Sequence, residues 1–126
     1  MAGASENQHQ MTVIKWGQQA SVRGKYPELK LLFHVPNERI CSPQQGRMMK
    51  LLGVRSGVPD LCLPIPRGGY HGLWIEMKAE GGKPTENQRW WGSQLAAQGY
   101  RWEVCIGWEA AAQVLEEYLG GGTASG

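Results

Sequence analysis

Apolar and polar positions along this chain form short blocks separated by glycine and proline, which is typical of a domain that contains both helices and strands. Blocks with helical spacing predict four helices over residues 5–22, 44–52, 85–98 and 108–119, and Ser5 can cap the first of them. Short apolar blocks between turn residues predict four strands, which cover residues 29–35, 60–65, 72–78 and 100–106. The predicted order is therefore α-β-α-β-β-α-β-α.

This order constrains how the strands pair. The helix at 85–98 lies between two strands, so these strands are expected to form a right-handed parallel βαβ unit. The strands at 60–65 and 72–78 are joined by a short turn at Gly68-Gly69, which favours an antiparallel hairpin. We expect an α/β fold with a mixed four-stranded sheet flanked by helices. It would form a single domain over residues 1–119, followed by a flexible Gly/Ser/Thr-rich tail at 120–126.

Composition narrows the class of protein without selecting a function. A chain of 126 residues with a net charge of +2 permits nucleic-acid binding but does not indicate it strongly. The three cysteines are widely spaced and include no CxxC pair, which argues against a structural zinc site and favours a reducing compartment. No apolar run approaches the roughly 20 residues needed to span a bilayer. We therefore expect a soluble, cytoplasmic protein.

The candidate catalytic and metal-binding residues lie in and next to the predicted hairpin. In the strand at 72–78, Trp74, Glu76 and Lys78 share one face because side chains alternate along a strand. If the hairpin is centred on Gly68, Asp60 lies directly opposite Glu76. Two carboxylates so placed repel each other, so they need a cation, which is either Lys78 or a divalent metal such as Mg²⁺ or Mn²⁺. The alternative is an ordinary charged strand end in which Glu76 pairs with Lys78.

The residues around this hairpin also resemble a known family. The run GVRSGVPDLCLPIPRGGYHGLWIEMKAEGGKPTENQ is similar to the virus-type replication-repair nuclease (VRR-NUC) domain of the PD-(D/E)XK nuclease superfamily. The similarity extends to LLFHVPNE before this run and to QGYRWEVCIGWEAAAQVLEEYL after it. It implies a restriction-endonuclease-like core, and the small size matches the stand-alone members that phages and prophages encode.

The resemblance implies roles for individual residues. Mg²⁺ or Mn²⁺ would be held by Asp60, Glu76, Glu6 and the backbone carbonyl of Met77, and Lys78 would position or activate the attacking water. Gln88 matches a glutamine of the family that follows the ExK motif. Two of these roles have structural alternatives. Glu6 could instead stabilise a helix N-terminus, and Gln88 could form a capping box with Thr85.

Other polar and aromatic residues are candidates for DNA contacts. Arg55, Lys83 and Arg89 could bind phosphates or could be ordinary solvated surface. His34 and Asn37 could line the same cleft or could serve the core or a turn. Trp90 and Trp91 are adjacent on a helix, so both cannot face one core stripe, and one of them could be exposed or at an interface.

The resemblance implies a metal-dependent, structure-selective deoxyribonuclease that cuts four-way (Holliday) junctions as a homodimer. Three alternatives remain open from the sequence. The first is a nuclease that acts on flaps or linear duplex ends. The second is a non-catalytic DNA-binding module with the same fold, and the third is a structural subunit of a replication or packaging complex.

Overall fold

The computed structural model describes residues 3–36 and 42–121. In this part of the chain the helices are α1 (Glu6–Gln18), α2 (Ala20–Lys25), a 3₁₀ helix (Pro27–Leu31), α3 (Pro43–Leu51), α4 (Glu86–Ala97), α5 (Trp108–Glu116) and a π-helical turn (Glu117–Gly121). The strands are β1 (Phe33–His34), β2 (Leu61–Leu63), β3 (Leu73–Lys78) and β4 (Arg101–Ile106). Within the described ranges, none of the helices has the length and apolar character that crossing a lipid bilayer requires.

The four strands form one mixed sheet in the order β1-β2-β3-β4. β1 and β2 are antiparallel, β2 and β3 are antiparallel, and β3 and β4 are parallel with α4 as their crossover. The predicted fold class, a mixed four-stranded sheet flanked by helices, is therefore confirmed. Of the predicted tail, residues 122–126 lie outside the described residues.

The register of the β2–β3 hairpin is the one predicted from the sequence. Leu61 pairs with Ile75 and Leu63 pairs with Leu73, which places Asp60 level with Glu76 at the end of the ladder. The turn itself pairs Arg67 with Tyr70, so it is offset by one residue from the strands. The offset is absorbed between the turn and the strands, in the segment that contains Pro64 and Pro66. The site-forming end of the hairpin keeps its register.

The predicted strand at 29–35 was wrong over most of its length. Residues Pro27–Leu31 form a 3₁₀ helix, and only Phe33 and His34 pair with β2. Pro27 stands at the first position of this helix, where its fixed φ angle favours helical backbone and its missing N–H costs nothing. Leu29 lies in this helix and its side chain is buried in the core, so its apolar character reflects helical packing and not a strand.

The core lies on one face of the sheet, against α1 and α5. The buried side chains from the sheet are Leu61, Leu63, Leu73, Ile75, Met77 and Cys105, and those that pack on them include Val13, Leu29, Ala111, Leu115 and Tyr118. The other face of the sheet is covered by α4. There Gly92 approaches so closely that a Cβ atom would lie 2.2 Å from the ring of Trp102. Cys62 and Cys105 are free, buried thiols.

Candidate active site

Asp60 is fixed in position by its backbone and by its side chain. Its carbonyl oxygen accepts hydrogen bonds from the Val35 N–H and from Nδ1 of His34, each at 2.8 Å. Because a carbonyl oxygen can only accept, the His34 ring carries a proton on Nδ1. The carboxylate Oδ2 of Asp60 accepts the backbone N–H of Met77 at 2.8 Å. The β1 edge therefore holds the backbone of Asp60 while its side chain reaches across to β3.

Glu76 is a buried acid with incomplete hydrogen bonding. It is 1% exposed, and within the described ranges its Oε1 atom has no hydrogen-bond partner. Burial, and then the adjacent charge of Asp60, raise the pKa of Glu76 from 4.5 to about 9. A proton or a cation is therefore needed to neutralise this carboxyl group at neutral pH.

Lys78 lies between two glutamates. Its Nζ atom is 3.8 Å from Oε2 of Glu76 and 3.8 Å from Oε2 of Glu6. Lys78 and Glu76 are buried, whereas the Glu6 side chain is about half exposed. Glu6 is positioned by the start of α1, where Ser5 and Gln8 form a reciprocal capping box. The structure therefore brings Glu6 to the ammonium group of Lys78.

The donor set of this cluster suits a hard divalent cation. In residues 3–36 and 42–121, no group of three or more His, Cys, Asp or Glu side chains is arranged to hold a metal ion. The carboxylates of Asp60 and Glu76 nevertheless form a pair at one point of the sheet. Oxygen ligands are what Mg²⁺ and Mn²⁺ prefer, and the unpartnered buried oxygen of Glu76 is the kind of atom that a cation would satisfy. These residues therefore fit such a metal.

Gln88 lies at the start of α4 in the capping role that its spacing from Thr85 indicated. Its Oε1 atom accepts the Thr85 N–H at 2.8 Å, and its own N–H donates to the Thr85 hydroxyl at 3.1 Å. The side chain is buried. Its polar carbonyl is therefore engaged in the helix cap.

The three basic residues proposed for DNA contacts are all exposed. The Arg55 guanidinium lies 5.8 Å from the ring centroid of Trp91, and Arg89 donates to the Pro84 carbonyl at 2.7 Å. Arg55 lies in the loop between α3 and β2, Lys83 lies in the loop between β3 and α4, and Arg89 lies in α4. Asn37, which was considered for the cleft, lies outside the described residues.

The two adjacent tryptophans have different surroundings, which the sequence alone did not separate. Trp91 donates from Nε1 to the Ser56 carbonyl at 3.0 Å, and so braces the loop that leads into Asp60. Trp90 is 50% exposed and meets Trp91 edge-on, with ring centroids 5.6 Å apart. The role of His34 in holding Asp60 was also not predicted, and only its position just after an apolar run hinted at it.

The chain is an α/β domain whose mixed sheet carries an Asp–Glu–Lys cluster, in which Glu76 and Lys78 are buried and Asp60 is partly buried. The model of the VRR-NUC domain family matches residues 4–108, so this chain belongs to the VRR-NUC family. A solved structure titled "VRR_NUC domain protein" is similar, with a TM-score of 0.76 and 28% sequence identity, over 95% of this chain and 92% of that chain. A search of curated proteins found no match.

Proposed function

We propose that this protein is a deoxyribonuclease that depends on Mg²⁺ or Mn²⁺ and hydrolyses phosphodiester bonds at four-way (Holliday) junctions as a homodimer. One observation carries the proposal. Asp60 lies level with Glu76, an oxygen of Glu76 is buried with no hydrogen-bond partner among residues 3–36 and 42–121, and the Lys78 ammonium lies 3.8 Å from Glu76. Such a cluster costs folding free energy unless a cation joins it.

The metal would be held by Asp60, Glu76 and the backbone carbonyl of Met77. When bound it would supply Lewis acidity toward water and would offset the charge of the phosphate. His34 and Val35 keep the backbone of Asp60 in place, and the Met77 N–H orients its carboxylate. The protein therefore sets the direction of this carboxylate before any substrate arrives.

Lys78 supplies the remaining positive charge. The Lys78 Nζ atom lies 3.8 Å from an oxygen of Glu6 and 3.8 Å from an oxygen of Glu76, where it can stabilise charge on the phosphate and orient a water. Glu6 contributes by anchoring this ammonium group from α1. Phosphates farther from the cluster would be bound by the exposed side chains of Arg55, Lys83 and Arg89.

An apolar surface that no other described residue covers supports the homodimer. Helix α3 has no buried residue, yet it and the segment that follows it expose Met48, Leu51, Leu52 and Val54. We call these four residues the α3 patch. A second copy of the chain would cover it, and a two-fold axis would present two active sites to the opposing strands of a junction.

The test is cleavage of labelled four-way, flap and linear duplex DNA with Mg²⁺, Mn²⁺ or EDTA. We expect Asp60→Asn, Glu76→Gln and Lys78→Met each to lower the cleavage rate by about 100-fold or more while the protein stays folded. Glu116→Gln and Lys15→Met make the same changes at exposed positions and serve as matched controls. Metal-dependent cleavage retained by Asp60→Asn would reject the assignment, and equal rates on all three DNAs would reject junction selectivity.

A further inference from the structure

An open pocket of about 570 Å³ lies between the loop that precedes Asp60 and the first two turns of α4. It is lined by Arg55, Glu86, Asn87 and Trp90, and we call it the Trp90 pocket. Its volume is in the range of pockets that bind small organic groups. None of its lining residues belongs to the Asp60–Glu76–Lys78 cluster.

The loop before Asp60, which forms one side of this pocket, is hydrogen-bonded to α4. The Asn87 amide donates to the Ser56 carbonyl at 2.9 Å and to the Ser56 hydroxyl at 3.1 Å, and Nε1 of Trp91 donates to the same carbonyl. Gly57 has a φ angle of +90°, and a Cβ atom there would lie 2.6 Å from the Asn87 amide nitrogen. The close approach of loop and helix therefore requires glycine, and the pocket is formed before any ligand binds.

The chemistry of the pocket suits a nucleobase. Trp90 offers a half-exposed aromatic ring, and the edge-on contact with Trp91 limits its movement. Glu86 is an acceptor for the amino groups that bases carry, and Arg55 can meet a phosphate or stack on a base. A phosphate alone would not be drawn to an aromatic ring next to a glutamate, so the combination favours a base over an isolated anion.

The chain places this pocket close to the proposed active site. Arg55, which lines the pocket, is five residues before Asp60, and five residues span at most roughly 18 Å when fully extended. On the other wall, α4 begins eight residues after Lys78. A DNA strand held at the cluster would thus pass the pocket within a few nucleotides.

We propose that the Trp90 pocket binds an unpaired nucleobase of the DNA substrate, a few nucleotides from the bond that is cleaved. This inference rests on the proposed function and adds to it that one nucleotide at the branch point of the junction leaves its stack and enters the pocket. In a fully paired duplex the faces of the bases are stacked on one another, so none is free for Trp90. Stacking on an aromatic side chain requires a base that has left the duplex.

The test measures binding by the fluorescence anisotropy of dye-labelled DNA in EDTA, where cleavage is blocked. Three probes share one sequence: a fully paired duplex, a duplex with one bulged thymine, and a duplex with an abasic residue in place of that thymine. We expect the intact chain to bind the thymine bulge about 5- to 150-fold more tightly than the abasic bulge, which is the contribution of one stacked base. Trp90→Ala should remove this preference, and Trp90→Phe should keep most of it.

Met11→Ala is the matched control, because Met11 is an exposed apolar residue on α1, away from the pocket. Thermal unfolding of each variant shows whether it is folded, and Trp90→Leu, which also lacks the aromatic ring, takes the place of Trp90→Ala if Trp90→Ala does not fold. The proposal is overturned if the intact chain binds both bulges equally or not at all, or if folded Trp90→Ala keeps the preference.

Cleavage of the thymine bulge with Mn²⁺ tests the proposed function separately. Cleavage without a preference for the base would reject base binding by the Trp90 pocket but would be consistent with the proposed nuclease activity. A base preference that depends on Trp90, without cleavage of any DNA, would support base binding by the pocket and reject the nuclease activity.

Discussion

At the residue scale, one carboxyl group shielded from water explains most of the proposed chemistry. Glu76 lies on the sheet face opposite the core, yet it is as buried as the leucines of β2. A carboxylate in such surroundings, beside Asp60, is unfavourable unless a cation compensates it. Lys78 compensates in part, from 3.8 Å, and Oε1 has no hydrogen-bond partner in the part of the chain that the structure describes. Burial of this acid therefore lowers the stability of the fold unless a proton or a cation neutralises it.

This arrangement predicts a pH dependence of stability in the absence of metal. The folded-state pKa of Glu76 is raised from 4.5 to about 9, so the folded protein binds its proton more tightly than the unfolded chain does. The contribution of Glu76 to stability is therefore fully present below pH 4.5 and is lost as the pH rises toward 9. In that window the free energy of unfolding should fall by up to about 1.4 kcal/mol per pH unit relative to Glu76→Gln. Urea unfolding of both proteins in EDTA at pH 5 and pH 8 checks this, and a difference that does not change with pH would contradict it.

At the element scale, α4 connects the sheet to the surface that surrounds the site. One side of this helix packs on Trp102 through Gly92, where no side chain fits. Another side presents Asn87 and Trp91 to the loop before Asp60. A helix interior ordinarily disfavours glycine, so its presence at position 92 reflects the close packing of helix on sheet.

Gly92→Ala should lower stability although alanine is the better helix former. Its Cβ would lie 2.2 Å from the Trp102 ring, and such overpacking costs about 1–3 kcal/mol. Gly24→Ala is the matched control, because Gly24 lies in α2 with no atom within 4 Å of an added Cβ. That variant should gain about 0.5–1 kcal/mol from helix propensity. Thermal unfolding that shows two equal changes would argue against this packing of α4.

At the scale of the whole molecule, the core side of the sheet is covered by helices but α3 is not covered. The core faces α1 and α5, and the opposite face of the sheet lies beneath α4. By contrast, Leu51 in the α3 patch is 83% exposed. An apolar side chain left in water costs free energy that a partner surface would recover. This contrast is the structural basis for proposing a second copy of the chain.

Leu51→Lys should therefore convert a dimer into a monomer. A lysine introduced in the α3 patch would bring a positive charge from each subunit into the two-fold interface. Repulsion between the two charges and the loss of their hydration would both oppose association. Light scattering after gel filtration should show twice the 14.0 kDa protomer mass for the intact chain and the protomer mass for the variant. Met11→Lys, a change at an exposed position of α1, should remain dimeric. An intact chain that is monomeric at all concentrations would contradict the dimer.

The pattern of the sequence was enough to predict the order of most elements and the register at the site. Alternation along β3 and the glycines of the turn placed Asp60 level with Glu76, because strand periodicity and hairpin geometry are local properties. The capping box at Thr85 and Gln88 was predicted for the same reason. The strand expected at 29–35 failed because an apolar block of that length fits a short helix as well as a strand, and burial of Leu29 decides between them.

What the sequence by itself determined was the set of groups that can do the chemistry and the strands that carry them, since both follow from residue identity and short-range spacing. The tertiary structure decided what each group faces. In the fold, Glu76 is buried and Lys78 lies between two glutamates. His34 is hydrogen-bonded to the Asp60 carbonyl, and Trp91 is hydrogen-bonded to the Ser56 carbonyl, whereas Trp90 is exposed. These outcomes depend on contacts between elements distant in the chain, where burial and electrostatic energies are set by the assembled fold and not by neighbours in sequence.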